Sequence, residues 1–119
     1  GLMDFGDLLE SVSGSITAIA GDMEALTQPS VADLDGFKVR LEGVQKDALA
    51  RLCASGPQTQ ARYGVEGMAL LFSPLSSAER KLNRAWAAMV DRHWPEAVAS
   101  VRGASLELDA ARQALASLV

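Results

Sequence analysis

The sequence predicts an all-α protein, an antiparallel helical bundle of four long helices plus one short helix. Alanine and leucine, the two strongest apolar helix formers, supply 36 of its 119 residues. Apolar residues recur at three- and four-residue steps in every long segment, which is the period of a helix packed on one side. No segment alternates apolar and polar residues for long enough to indicate a strand. These observations together predict the fold class.

Length and composition favour a single domain over residues 1–119. Apolar residues make up 49 %, which is too many for an intrinsically disordered chain. The net charge of -4 and the pI near 4.9 argue against a nucleic-acid-binding protein, because such proteins usually carry a basic surface. No uncharged apolar run approaches the ~18–20 residues that a membrane-spanning helix needs. We therefore expect neither a nucleic-acid partner nor a membrane span.

The start of the chain and its single cysteine are the sequence features that indicate whether the protein is secreted or cytoplasmic. Gly1 and Leu2 either belong to the protein or are a vector-derived remnant ahead of Met3, and the sequence leaves both open. No basic segment followed by an apolar core opens the chain, so we expect no secretory leader. Cys53 is the only cysteine and cannot close an intrachain disulfide. We expect a cytoplasmic protein.

The first predicted helix carries the clearest period. Its apolar residues step alternately by four and three, like the a/d seam of a packed helix. They are Phe5, Leu9, Val12, Ile16, Ile19, Met23 and Leu26. We predict that the seam from Phe5 to Met23 is an interaction face. Gly14 and Gly21 lie beside it, where we expect a neighbouring helix to approach closely, with a hinge as the alternative.

A second helix is predicted to start at Ser30 or Asp33, either of which can cap it, and to stop before the pair Gly56 and Pro57. Its apolar stripe consists of Leu34, Phe37, Leu41, Val44, Ala48 and Leu52. The pattern from Thr59 to Phe72 is weaker and is interrupted by glycines, so we predict only a short third helix there.

The fourth helix is predicted to begin after Pro74, at Ser76, because Ser76-x-x-Glu79 matches a capping box. Pro95 fits the first turn of a fifth helix, which would form an antiparallel hairpin with the fourth. The run Trp94-x-Glu96-Ala97-Val98-x-x-Val101-x-x-Ala104 resembles one tetratricopeptide-type hairpin. Because no copy lies ~34 residues upstream and that architecture needs about three units, we interpret the resemblance as shared hairpin packing.

Residues that could carry chemistry are few. One cysteine and one histidine, 40 residues apart, cannot supply the four ligands of a structural zinc site. A serine or cysteine nucleophile needs a base oriented by a third group, and the sequence offers no such set around His93. We expect His93 to cap the end of the fourth helix and Cys53 to pack as a small hydrophobe, with a reactive thiol as the alternative. We therefore predict no enzyme activity and no cofactor.

Charge is unevenly distributed along the chain. Residues 1–37 hold seven acids and no base, whereas the remainder has a net charge of +3. The positive charge concentrates in a candidate basic patch of Arg80, Lys81, Arg84 and Arg92. Two interpretations remain open. Either the acidic first helix lies beside the basic fourth helix, or the patch binds an acidic partner.

Surplus apolar residues without a catalytic set favour a non-enzymatic helical interaction or regulatory module, acting through an apolar helix face or groove. We expect it to form a homodimer or to bind a partner helix, since small bundles often complete their cores by association. The alternative is a small-ligand-binding or sensory bundle with an apolar pocket. The residues of that candidate pocket are Met68, Phe72, Trp86, Met89 and Trp94.

Overall fold

The computed structural model describes residues 4–119 and confirms the all-α helical bundle. Four helical segments pack against one another in an elongated molecule of 46 × 26 × 20 Å, and no strand occurs in this part of the chain. The elements are α1 (Phe5–Glu24), α2 (Val31–Val44), a π-helical turn (Gln45–Leu49), α3 (Ala50–Cys53), α4 (Gly56–Val90) and α5 (Trp94–Leu118). The π-helical turn joins α2 to α3 without a break, so these three form one segment.

Side-chain caps start the first two segments. The backbone N–H of Asp7 donates to the Asp4 carboxylate, 2.8 Å away, at the start of α1. At α2, Ser30 and Asp33 form a complete capping box, in which each side chain accepts the other residue's backbone N–H at 2.9–3.0 Å. The predicted start of the second helix at Ser30 is thereby confirmed.

The predicted boundary between the third and fourth helices is wrong. The stretch from Thr59 to Phe72 runs on through Pro74 and Ser76 as part of α4, which has 35 residues. The local break lies earlier, at Gly64, where φ is 77° and ψ is 176°, a conformation that glycine adopts most readily. A proline within a helix removes one intrahelical hydrogen bond, but packing of the surrounding turns can offset that cost.

The turn between α4 and α5 confirms the predicted antiparallel hairpin. The backbone N–H of Arg92 donates to the Met89 carbonyl (3.1 Å) and that of His93 to the Ala88 carbonyl (2.7 Å), which is a Schellman motif. Arg92 takes the left-handed conformation, with φ of 60°. The backbone, and not the His93 ring, therefore satisfies the last carbonyls of α4, and the expected side-chain cap is absent at this turn.

The core runs along the length of the bundle. α5 packs against both α1 and α4, and the α2–α3 segment packs against the same two helices. Gly14 and Gly21 are exposed, and a Cβ atom added at either would have no neighbour within 4 Å. The expectation of a close helix approach at these two glycines is therefore wrong.

Candidate functional site: the groove between α4 and α5

The seam of α1 lies inside the bundle. Its residues from Leu9 to Met23 are at most 2 % exposed. They are Leu9, Val12, Ile16, Ile19 and Met23. Phe5 is half-buried, and its ring centroid lies 6.4 Å from that of Phe72. This corrects the expectation of a docking face on α1, because the four-three period shows which side of a helix is buried but not which chain buries it.

The candidate apolar pocket is not assembled. Met68, Phe72, Trp86 and Met89 all lie on α4. At 1.5 Å per residue, Met68 and Met89 are about 30 Å apart along the helix. Of the five proposed residues, Trp94 lines a cleft, together with residues of the α1–α2 loop and the start of α2. The pocket interpretation is corrected on this geometry.

The two tryptophans instead join elements of the bundle. The indole N–H of Trp86 donates to the Glu42 carboxylate of α2 at 2.9 Å. The indole N–H of Trp94 donates to the backbone carbonyl of Leu26 at 3.0 Å, and its ring lies 5.7 Å from that of Phe37. Both side chains are half-buried, and each donates a hydrogen bond to a part of the chain outside its own helix.

The acidic side chains of α1 do not pair with α4. Three of its carboxylates form ion pairs with arginines of α5 and α2, namely Glu10 with Arg112, Glu24 with Arg102, and Asp22 with Arg40. The hydrogen bond from Arg112 to Glu10 raises the pKa of that guanidinium above its ordinary value. The interpretation that the acidic first helix lies beside the basic fourth helix is therefore wrong, because α1 packs against α5 and the α2–α3 segment.

Three of the four predicted basic residues are brought together. Arg80, Lys81 and Arg84 line one shallow depression with Ser77. Lys81 reaches across to α5 and pairs with Glu107 at 3.0 Å. Among residues 4–119, Arg80 and Arg84 have no carboxylate within 4.0 Å. Arg92 lies apart from them, in the turn after α4.

A surface groove with a volume of about 690 Å³ lies between α4 and α5. Apart from glutamates near its ends and one serine, its walls are apolar and mostly small. The lining residues are Glu66, Ala69, Leu70, Ser73, Pro74, Glu107, Ala110 and Ala114. We call this surface the α4–α5 groove. It adjoins the basic depression, because Glu107 in the groove is the ion-pair partner of Lys81.

One line of α4 residues runs through both depressions. These residues step alternately by four and three, so they form a straight stripe on one helix face. They are Glu66, Leu70, Ser73, Ser77, Arg80 and Arg84. We call them the α4 stripe. Sequence reasoning missed the stripe because it divided the helix at Pro74, although the spacing is present in the sequence.

Cys53 and His93 have separate partners, on α4 and at the start of α5. The Cys53 thiol is half-buried and donates to the Glu79 carboxylate, 3.1 Å away. Burial and then this hydrogen bond raise the pKa of Cys53 to about 12, so the thiol stays protonated at neutral pH. The His93 side chain is 67 % exposed and lies 4.0 Å from Glu96. Within the same residues no three His, Cys, Asp or Glu side chains converge on a potential metal position.

Two further observations concern membrane insertion and relatedness to known proteins. None of the helices in residues 4–119 combines the length and the apolar character needed to cross a membrane. Comparison of the chain with protein-family models, curated proteins and solved structures finds no match.

Proposed function

We propose that this protein is a non-enzymatic helical interaction module that takes up a helix in the α4–α5 groove, either from a second copy of itself or from a partner protein. The observation that carries the proposal is the exposed apolar lining of a groove between two long helices. An amphipathic helix lays its apolar face into a groove of this kind. No cofactor takes part.

Exposure of the groove supports this function. Leu70, which lines the groove, is 55 % exposed. Covering such side chains removes apolar surface from water, which favours association. Ala69, Ala110 and Ala114 are small, so an incoming helix can bring its backbone close to the floor of the groove.

The competing functions have less support. Catalysis would need a nucleophile beside a base, whereas Cys53 is protonated against Glu79 and His93 lies exposed at the α4–α5 turn. The small-ligand alternative depended on a pocket shared by Trp86 and Trp94, and these side chains serve separate contacts. A cytoplasmic location stays part of the proposal, supported by the single cysteine.

Two substitutions test the groove without touching the core. Leu70→Ser removes the largest apolar side chain of the groove, and Ala110→Gln fills the groove with a polar one. We expect both to weaken self-association, measured by sedimentation velocity up to high micromolar concentration. Both should also release any partner that is captured from lysate, identified, and then rebound as a purified protein. The reason is that each variant removes apolar contact area or blocks the approach of a helix.

Val39→Ser is the matched control, because Val39 is 68 % exposed on α2 and lies outside the groove. It should leave association unchanged. Circular dichroism should show native helicity in all three variants, since the altered side chains are not in the core. Equal binding by the native protein, Leu70→Ser and Ala110→Gln would overturn the proposed function. So would the absence of any groove-dependent binding.

A further inference from the structure

We propose that the helix taken up by the α4–α5 groove is α4 of a second copy, packed antiparallel about a two-fold axis that crosses the interface at the level of Leu75 along the helix. This inference rests on the proposed function and names the partner that the groove takes. The α4 stripe of each copy would then face the α4 stripe of the other.

The order of residues along the stripe is self-complementary when one copy is reversed. An axis near Leu75 places Glu66 opposite Arg84 of the second copy, and symmetry repeats the same contact at the other end. A parallel arrangement in register would instead place Glu66 against Glu66 and Arg84 against Arg84, which is repulsive. Charge therefore selects the antiparallel dimer.

The middle of the stripe fits the same register. Ser73 of one copy lies opposite Ser77 of the other, and these small side chains let two helices approach closely. Leu70 lies opposite Arg80, whose long aliphatic stem can cover the leucine while its guanidinium stays in water. In antiparallel helix pairs, residues at the two alternating seam positions face each other in this way.

The charged groups of the stripe are free to make these contacts. Among residues 4–119, Glu66, Arg80 and Arg84 take part in no ion pair. In contrast, Arg102 and Arg112 of α5 are engaged by carboxylates of α1.

The length of the stripe suits a helix–helix interface. Glu66 and Arg84 are separated by 18 positions, which corresponds to about 27 Å of helix axis. Both ends lie beyond the break at Gly64, so this whole stretch is regular helix interrupted only by Pro74. Lys81 and Glu107 are paired with each other within one chain, so they can border the interface without an unpaired charge entering it.

Charge reversal tests the register directly. Glu66→Arg places two arginines at each end of the interface, and Arg84→Glu places two glutamates there. We expect each variant alone to raise the dimer dissociation constant by about tenfold or more at low salt, because symmetry changes two contacts at once. An equimolar mixture of the two variants should recover association, since every end contact of that heterodimer joins an arginine to a glutamate. Sedimentation equilibrium measures all three samples.

Asp47→Arg and Arg51→Glu are the matched controls. Asp47 and Arg51 form an exposed ion pair on the α2–α3 segment and carry the same charges as the tested pair. These variants should dimerise like the native protein, and mixing them should change nothing.

Added salt should weaken the native dimer, because it screens exposed ion pairs. Circular dichroism should show native helicity for every variant, which is the check that each one folds. Arg84→Gln adds no repulsion, so it should weaken the dimer less than Arg84→Glu.

Three results would overturn the inference while leaving the proposed function to its own test. The first is a native protein that stays monomeric at high micromolar concentration, even if Leu70→Ser abolishes binding to another protein. The second is a native dimer that Leu70→Ser disrupts but that neither charge reversal weakens. A mixture of Glu66→Arg and Arg84→Glu that fails to recover association, with both variants folded, would also overturn it.

Discussion

At the scale of single residues, the surroundings of Cys53 decide its chemistry. The sequence places this cysteine near the end of an apolar stripe, which favours packing over reactivity. The structure adds a partner from α4 that sequence separation hides, since the thiol donates to Glu79 at 3.1 Å. A carboxylate near a thiol disfavours the thiolate, and burial acts in the same direction.

We predict that Cys53 resists alkylation in the native protein. A pKa raised from 9.0 to about 12 lowers the thiolate fraction near pH 8 by about three orders of magnitude. Iodoacetamide should therefore react at least ~100-fold more slowly with the native chain than with the chain in denaturant. Glu79→Gln removes the charge and should speed the reaction, whereas Glu96→Gln, far from the thiol in sequence and on α5, should not.

The raised pKa of Cys53 also makes the stability of the native protein depend on pH. The unfolded chain loses the thiol proton near pH 9, before the native chain does. The stabilisation that protonated Cys53 gives to the native state is therefore present below pH 9 and is lost between about pH 9 and 12. Alkylation of the native protein at the denatured rate would contradict this account of the thiol.

At the scale of elements, α1 contains two glycines that its packing does not require. Both lie on its exposed face, and glycine within a helix costs about 0.5–1 kcal/mol relative to alanine. We predict that Gly14→Ala and Gly21→Ala each stabilise the protein by about that amount, with additive effects because the sites are independent. Urea denaturation followed by circular dichroism measures the change.

Gly67→Ala is the contrasting variant. A Cβ added at Gly67 would lie 2.7 Å from the Cβ of Tyr63, so that side chain or the backbone must move. This variant should destabilise the protein. Destabilisation by Gly14→Ala or Gly21→Ala would instead indicate that α1 needs flexibility at these positions.

Helix α4 shows where sequence reasoning succeeded and where it failed. Apolar spacing alone identified helical structure on both sides of Pro74 and the side of α4 that is buried, including Leu82 and Ala85. It could not reveal that tertiary packing carries the helix through the proline, because the cost of that proline is local and its compensation is not. Dividing α4 there separated Glu66 from Arg84 and hid the stripe that joins them.

At the scale of the whole molecule, the sequence determined net charges but not their pairing. It showed an acidic first third and a basic remainder, yet the partners of α1 are the arginines of α5 and α2. Those pairs depend on which helices are neighbours, and several bundle arrangements satisfy the same apolar periods. The candidate site could not be predicted for the same reason, because a groove between two helices exists only once their packing is fixed.

Trp94 joins α5 to α2 and to the loop after α1. It begins α5, donates a hydrogen bond to the Leu26 carbonyl in the loop after α1, and packs on Phe37 of α2. We predict that Trp94→Ala lowers the free energy of unfolding by about 3 kcal/mol, since it removes a large aromatic contact and leaves that carbonyl without its donor. Trp94→Phe keeps a six-membered aromatic ring but loses the hydrogen bond and part of the contact area, so it should cost less than Trp94→Ala, about 1–2 kcal/mol. Both values come from urea denaturation. A loss below ~1 kcal/mol for Trp94→Ala, together with altered binding to a ligand or partner, would show that this corner of the bundle serves recognition and not the joining of three helices.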